Sequence, residues 1–198
     1  AMDTLSKYMT QYIEVNQLIW GRYFFHLMAM LIYFAIFKPK LDLKKNFKIQ
    51  LARSALLVFA TFLMFNALKL FTLIDIYVLF FTAPLILALL SAIFLKDNLS
   101  LVGWILMGLS FMAIIFTLSP SMKVLSLKVA FPFLIPICWS LYQFFTKLIS
   151  NNREPFVAVF YSGLVGSAVF SVISFSHWNI IESNWIWLGL IILGVFGF

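Results

Sequence analysis

The chain has 198 residues, of which 64% are hydrophobic and 11% charged, with a formal net charge of +7 and a mean hydropathy of +1.04. A soluble domain carries roughly 25% charged and 45–50% apolar residues, so a globule of this length has too little interior for these side chains, and soluble classes, including nucleic-acid-binding domains, are excluded. Cys138 is the single cysteine, so no intrachain disulfide can form, and with two scattered histidines there is no metal-ligand spacing; no metal or cofactor is expected.

The opening residues "AMDTLSKYMTQYIEVNQ" lack the basic, apolar, small-residue order of a cleavable signal peptide. A membrane-spanning helix needs about 20 mainly apolar residues. The stretches Gln17–Phe37, Leu51–Phe71, Leu73–Leu95, Leu101–Ser119, Leu127–Leu148 and Phe156–Phe175 qualify, and a further one begins near Trp185. Barrel strands are about 10 residues long and alternate, and these runs do not. The expected fold is all-α, a polytopic transmembrane helix bundle.

Positive charge collects between alternate spans. Lys38, Lys40, Lys44, Lys45, Lys48 and Arg53, then Lys96, then Lys147 and Arg153, fall on one side, against Lys7, Lys69, Lys123 and Lys128 on the other. The positive-inside rule makes the Lys38–Arg53 loop cytoplasmic, with Trp178 and Trp185 near the outer interface. Sliding the chain by about 140 residues pairs Lys7 with Lys147, Thr10 with Ser150, Gln11 with Asn151, Glu14 with Glu154 and Trp20 with Phe160. An odd number of crossings separates the paired positions, which is what a unit repeated upside down requires. Residues 1–12 are then the outer end of a first helix. The start at Ala1 and the end inside "WIWLGLIILGVFGF" suggest a bundle truncated at both ends.

Ionisable groups within spans are costly and mark functional sites by default. Arg22 and His26 are four residues apart and share a helix face with Ala29 and Tyr33. Arg22 lies roughly 8 Å from the outer end at 1.5 Å per residue. It either snorkels or pairs structurally, with Asp3 the nearest partner, or it meets a substrate carboxylate or phosphate through its planar fork. His26 is nearer midplane, either a buried neutral ring or a proton-coupling group. Asn66 forms a helix-to-helix bond or lines a cavity. Trp139 and Gln143 share a face with Pro136 and Thr146, as suits a ring- or amide-bearing substrate or ordinary packing; Tyr142 and Tyr161 are further candidates. Pro84 and Pro136 are expected kinks or hinges, and Gly163, Ser167 and Ser171 a face for close helix approach.

The stretch from Phe65 to Pro120, "FNALKLFTLIDIYVLFFTAPLILALLSAIFLKDNLSLVGWILMGLSFMAIIFTLSP", resembles the third to fifth helices of EamA-type drug/metabolite transporters. The matching features are Ala67-Leu68, Asp75, the mid-helix Pro84, Leu95, Trp104, Gly108 and Pro120. "AMDTLSKYM" and "WGRYFFHLM", with Arg22, resemble the family's first and second helices, and "CWSLYQFFTKLIS" and "FYSGLVGS" its sixth and seventh. Asp97 replaces the usual Glu, and Ala113 a common glycine.

The resemblance implies ten helices in an inverted five-plus-five repeat with both termini cytoplasmic. The chain would cover the end of helix 1 to part of helix 8: residues 1–125 the first repeat, with its first helix truncated, and 126–198 the start of an incomplete second. It also implies a secondary-active permease for small metabolites (amino acids, nucleotide-like or other zwitterionic or anionic compounds) working by alternating access. The expected setting is a bacterial inner membrane, and the expected partners are the bilayer, the metabolite, protons or a counter-substrate, and a second copy in a homodimer. No GxxxxGK[ST] loop for ATP is present. Two other classes compete: a non-catalytic membrane subunit or assembly factor, and an intramembrane hydrolase built on Ser162 and His26, which lacks the nucleophile and oxyanion-hole context such an enzyme needs.

Overall fold

Short polar turns cut the apolar sequence into helices, as the hydropathy pattern predicts. The computed structural model describes residues 2–38, 43–96, 100–118, 127–149, 155–175, 178–181 and 183–196. Among these residues there are nine helices and no strand: α1 (Met2–Met9), α2 (Val15–Phe37), α3 (Phe47–Leu70), α4 (Leu73–Phe80), α5 (Ala83–Phe94), α6 (Leu101–Leu118), α7 (Leu127–Ile149), α8 (Pro155–Phe175) and α9 (Asn184–Phe196). Stretches Val15–Phe37, Phe47–Leu70, Leu73–Phe94 and Phe156–Phe175 are long and apolar enough to cross a bilayer. The protein is an integral, multi-pass membrane protein with an all-α bundle. Asp97, Pro120, Lys40, Lys123, Arg153, and Ser150, Asn151 and Glu154 of the repeat correspondence lie outside the described residues.

Cross-helix contacts fix which helix ends lie together. At one end, the Lys7 ammonium donates to the Phe71 carbonyl at 3.0 Å, Glu14 meets Lys69 at 3.6 Å, and the Gln17 amide donates to the Asn179 carbonyl at 2.7 Å. Tyr8 and Tyr12 share a hydroxyl bond of 2.9 Å, and Trp185 packs edge-on against Tyr12 at 5.1 Å. The bond to Tyr8 and its charge hold the Tyr12 phenol above the usual tyrosine range. At the opposite, lysine-rich end, Tyr33 stacks on Phe156 at 5.1 Å, Lys147 donates to the Ser91 hydroxyl at 3.4 Å, and the Tyr161 hydroxyl donates to the Leu43 carbonyl at 2.6 Å. By these contacts α2, α4 with α5, α7 and α9 run one way, and α1, α3 and α8 run the other.

Two boundaries differ from expectation. α3 begins at Phe47, before the Leu51 start that hydropathy suggests, so Arg53, counted with the lysine-rich loop, lies in the second turn of the helix. Asn46 in the left-handed conformation (φ 55°) turns the chain into it, a conformation that asparagine tolerates better than most residues.

The expected Leu73–Leu95 span is also broken. α4 stops at Phe80, and Pro84 sits in the first turn of α5, where its missing N–H and fixed φ cost least. The Thr82 hydroxyl donates to the Leu79 carbonyl at 2.7 Å, and the Ser140 hydroxyl of α7 lies 2.7 Å from the Ala83 carbonyl and 2.6 Å from that of Pro136. The two proline-bearing segments are thus tied to each other.

α4 opens with a capping box. Thr72 Oγ1 accepts from the Asp75 N–H at 3.2 Å, while the Asp75 carboxylate accepts from the Thr72 N–H at 3.3 Å. Both satisfy donors that a helix start leaves orphaned. Thr72→Ala is expected to cost about 1 kcal/mol, read as a lower melting temperature of the purified protein in detergent; an unchanged melting curve would contradict the cap.

The packing has a two-fold character. α2 packs on α8 and α9, α3 on α8 and α7, and α1 on α9. Shifting by 140 residues brings the end of α1 (Met9) onto the end of α7 (Ile149), and the start of α2 (Val15) onto that of α8 (Pro155). The same shift exchanges two close contacts at the bundle centre. A Cβ on Gly163 would lie 2.9 Å from the His26 ring, and one on Gly166 would lie 2.3 Å from the Tyr23 ring. His26 and Gly166 are 140 apart, as are Tyr23 and Gly163. α6 stands at the edge, against α4, with Trp104, Ile105, Leu109 and Met112 exposed, as suits a lipid-facing helix.

Candidate functional site

A cavity of about 430 Å³ opens among α1, α2, α3, α4, α7 and α9, lined by Met2, Asp3, Arg22, Ala60, Thr61, Met64, Phe65, Tyr77, Phe80, Ile135, Trp139 and Phe196. Each helix contributes for a local reason. Arg22, about 10 Å along α2 from Val15, lies beside α3, its guanidinium carbon 5.8 Å from the Phe65 ring centre. Gly194 of α9 comes close beneath, since a Cβ there would lie 3.0 Å from the Arg22 carbonyl. The backbone of α2 is thereby held while the arginine side chain reaches the cavity wall.

Asp3, from the first turn of α1, accepts a hydrogen bond from the Tyr77 hydroxyl of α4. Tyr23, fully buried behind the cavity, bonds to Thr61 at 2.8 Å. The Thr61 hydroxyl spends its only proton on the Leu57 carbonyl at 2.8 Å, so Tyr23 is the donor. The result is an apolar and aromatic chamber holding one guanidinium and one carboxylate. Such concave sites with few polar groups are where small ligands bind.

The expected site residues divide into two groups. Asp3, Arg22 and Trp139 come together around this cavity. His26 is buried between α2 and α8, its Nε2 3.3 Å from the Val159 carbonyl; because a carbonyl only accepts, Nε2 carries the proton in that bond. Asn66 bonds its own helix, donating to the Phe62 carbonyl at 2.8 Å, and lines a separate depression with Phe62, Lys69, Leu70 and Phe131. Gln143 is half-buried on α7 and is not part of the cavity lining. Tyr161 serves the Leu43 carbonyl. Tyr142 packs behind Trp139, ring centres 5.3 Å apart, and covers the Arg53 guanidinium at 5.2 Å. The Ser162 hydroxyl donates to the Ala158 carbonyl at 3.1 Å and accepts from Arg53 at 3.3 Å.

Tyr77, Thr61, Phe65 and the buried Arg53 are not among the residues the sequence singles out. For Arg53 a signal exists: Gln50, Arg53, Ser54 and Thr61 recur at helical spacing along one face, and all four are buried. That polar face within an apolar helix points into the bundle. Tyr77 carries a weaker signal, a hydroxyl in the apolar run "LIDIYVLF".

No curated protein and no solved structure matches the chain. A family model does: that of the EamA-like transporter family, over residues 1–119, which are α1 to α6 and carry Asp3, Arg22, Thr61, Phe65 and Tyr77 of the cavity wall. With more than half of its length matched, the chain belongs to the EamA-like transporter family.

Proposed function

We propose that this transporter is a secondary-active carrier of small anionic or zwitterionic metabolites, working by alternating access through the 430 Å³ cavity. The observation that carries this reading is that Arg22, Asp3 and Tyr77 line one apolar chamber, with Asp3 bonded to Tyr77. The guanidinium fork suits a carboxylate or phosphate, and the Asp3 carboxylate suits an ammonium group. A zwitterion spanning the chamber satisfies both, and an anion satisfies the arginine.

The alternation rests on an inverted repeat, residues 1–125 against 126–198, rocking about the α2–α8 contact. Its support is the two-fold exchange of Tyr23–Gly166 with His26–Gly163 and the helix boundaries that recur at a spacing of 140. The end bearing Lys38, Lys44, Lys45 and Lys48 is cytoplasmic by the positive-inside rule, and the membrane supposed is a bacterial inner membrane. Driving force comes from protons or from a counter-substrate.

The test is counterflow in proteoliposomes preloaded with unlabelled compound. The panel is labelled glutamate, leucine, lysine, a nucleoside, a nucleoside monophosphate and inorganic phosphate, with and without an imposed proton gradient. Transient accumulation of a carboxylate- or phosphate-bearing compound is the expected result. No accumulation of any member under either condition would overturn the carrier reading, and accumulation of the nucleoside alone would overturn the charge assignment.

A further inference from the structure

Arg53 is the most deeply buried charge among the described residues, 2% exposed inside α3. Its guanidinium reaches across to the second half of the chain. Nη2 donates to the Ala158 carbonyl and to Ser162 Oγ at 3.3 Å, and Nη1 donates to Thr146 Oγ1 at 3.4 Å. None of these partners is negatively charged, and Nε is buried with no hydrogen-bond partner. A guanidinium is costly to desolvate, and neutral oxygens compensate it incompletely. The two hydroxyls bonded to it are themselves spent on their own helices, Ser162 on Ala158 at 3.1 Å and Thr146 on Tyr142 at 2.8 Å. They are able to turn and donate to an arriving oxyanion.

The place of this cluster matters as much as its charge. The Tyr142 ring lies over the guanidinium at 5.2 Å, and its other neighbour is Trp139, at 5.3 Å, which lines the cavity. Two packed aromatic rings, Tyr142 and then Trp139, therefore stand between Arg53 and the chamber that holds Arg22. Arg53 is on the lysine-rich side of these rings, about 9 Å along α3 from Phe47.

We propose that Arg53, with Ser162 and Thr146, is a second oxyanion station on the lysine-rich side of the pathway. It receives the substrate's carboxylate or phosphate from the cavity when Trp139 and Tyr142 swing aside. The proposal rests on the carrier reading above. In the form seen here, the carbonyl and hydroxyls hold the guanidinium in the place the anion takes.

The test uses inorganic sulfate as a bare oxyanion probe in oriented proteoliposomes of the whole protein. Sulfate is added to one face at a time while exchange of the compound identified by counterflow is read. Wild type is expected to be inhibited from both faces. Arg53→Gln should raise the half-inhibitory sulfate concentration at the lysine-rich face at least about tenfold, with less than about a twofold change at the other.

A purely structural tie gives the opposite sign. Loosening it favours the form open to the lysine-rich face, so binding there strengthens and binding from the other face weakens. That pattern, equal changes at both faces, or no sulfate inhibition of wild type from the lysine-rich face would overturn the station. Arg53→Lys keeps the charge but loses the fork. It should give a rise of several-fold at the same face, and no rise would overturn the proposal even where the glutamine variant fails to insert. Absence of wild-type exchange falls instead on the carrier reading and takes the station with it, so the two failures are distinct.

Discussion

Arg22→Gln is expected to lower the exchange of carboxylate- or phosphate-bearing substrates by about 10- to 100-fold while leaving the protein folded. Hydrogen bonds to a charged partner contribute about 1.5–3 kcal/mol, and each 1.4 kcal/mol is a factor of ten. Glutamine keeps much of the stem and two amide donors but gives up the charge and the parallel fork, so most of that range is lost. Arg22 is half-buried at the cavity wall with the Phe65 ring 5.8 Å from its guanidinium carbon, and its stem packs there in either residue. Initial counterflow rates in proteoliposomes, normalised to reconstituted protein, are the measurement. The loss should fall on half-saturation for the anionic compound. Unchanged exchange and unchanged preference between charged and neutral compounds would remove Arg22 from the pathway and leave it a structural role.

Arg22 stood out in the sequence, whereas Arg53 carries only the weaker signal of a polar helix face, and the reason is physical. An arginine inside an apolar span stands out there, and with His26 four residues further on it marks an inward-facing polar face. Arg53 follows a run of lysines, where hydropathy rises only gradually and a helix start at Leu51 is the natural reading. Its burial is supplied by Thr146, Ala158 and Ser162, about a hundred residues further along, and no local pattern encodes them. The same limit applies to His26. Its position in the middle of a span could be read, but a partner it bonds, the Val159 carbonyl, comes from α8. Pro84 announced a disturbed helix correctly in kind. The break falls before it because proline fits a first turn better than an interior one, and Thr82 and Ser140 complete the joint. Asp3 was the nearest candidate partner for Arg22; the two line one cavity, and Asp3 is bonded to Tyr77, a residue that nothing within α4 marks as its mate.

The largest effect on stability is expected from Gly166. A Cβ built there would sit 2.3, 2.4 and 2.7 Å from three atoms of the Tyr23 ring, well inside contact distance. The ring has little freedom to retreat, being fully buried and held at its far tip by the 2.8 Å bond to Thr61. Relief therefore requires α2 and α8 to separate, and overpacking of this kind costs about 1–3 kcal/mol or more. Gly166→Ala should lower the melting temperature measurably, and Gly166→Leu should abolish accumulation of folded protein in the membrane. Gly108 on α6 provides the control, since a Cβ there would meet nothing within 4 Å. Gly108→Ala should be neutral or stabilising by up to about 1 kcal/mol, the helix-propensity difference. Adding Tyr23→Leu to Gly166→Ala should restore part of the loss, because the two residues share one space and their effects are not additive. If Gly166→Ala and Gly108→Ala melted alike, the close approach of α2 and α8 would be wrong, and with it the axis about which the two halves are proposed to rock.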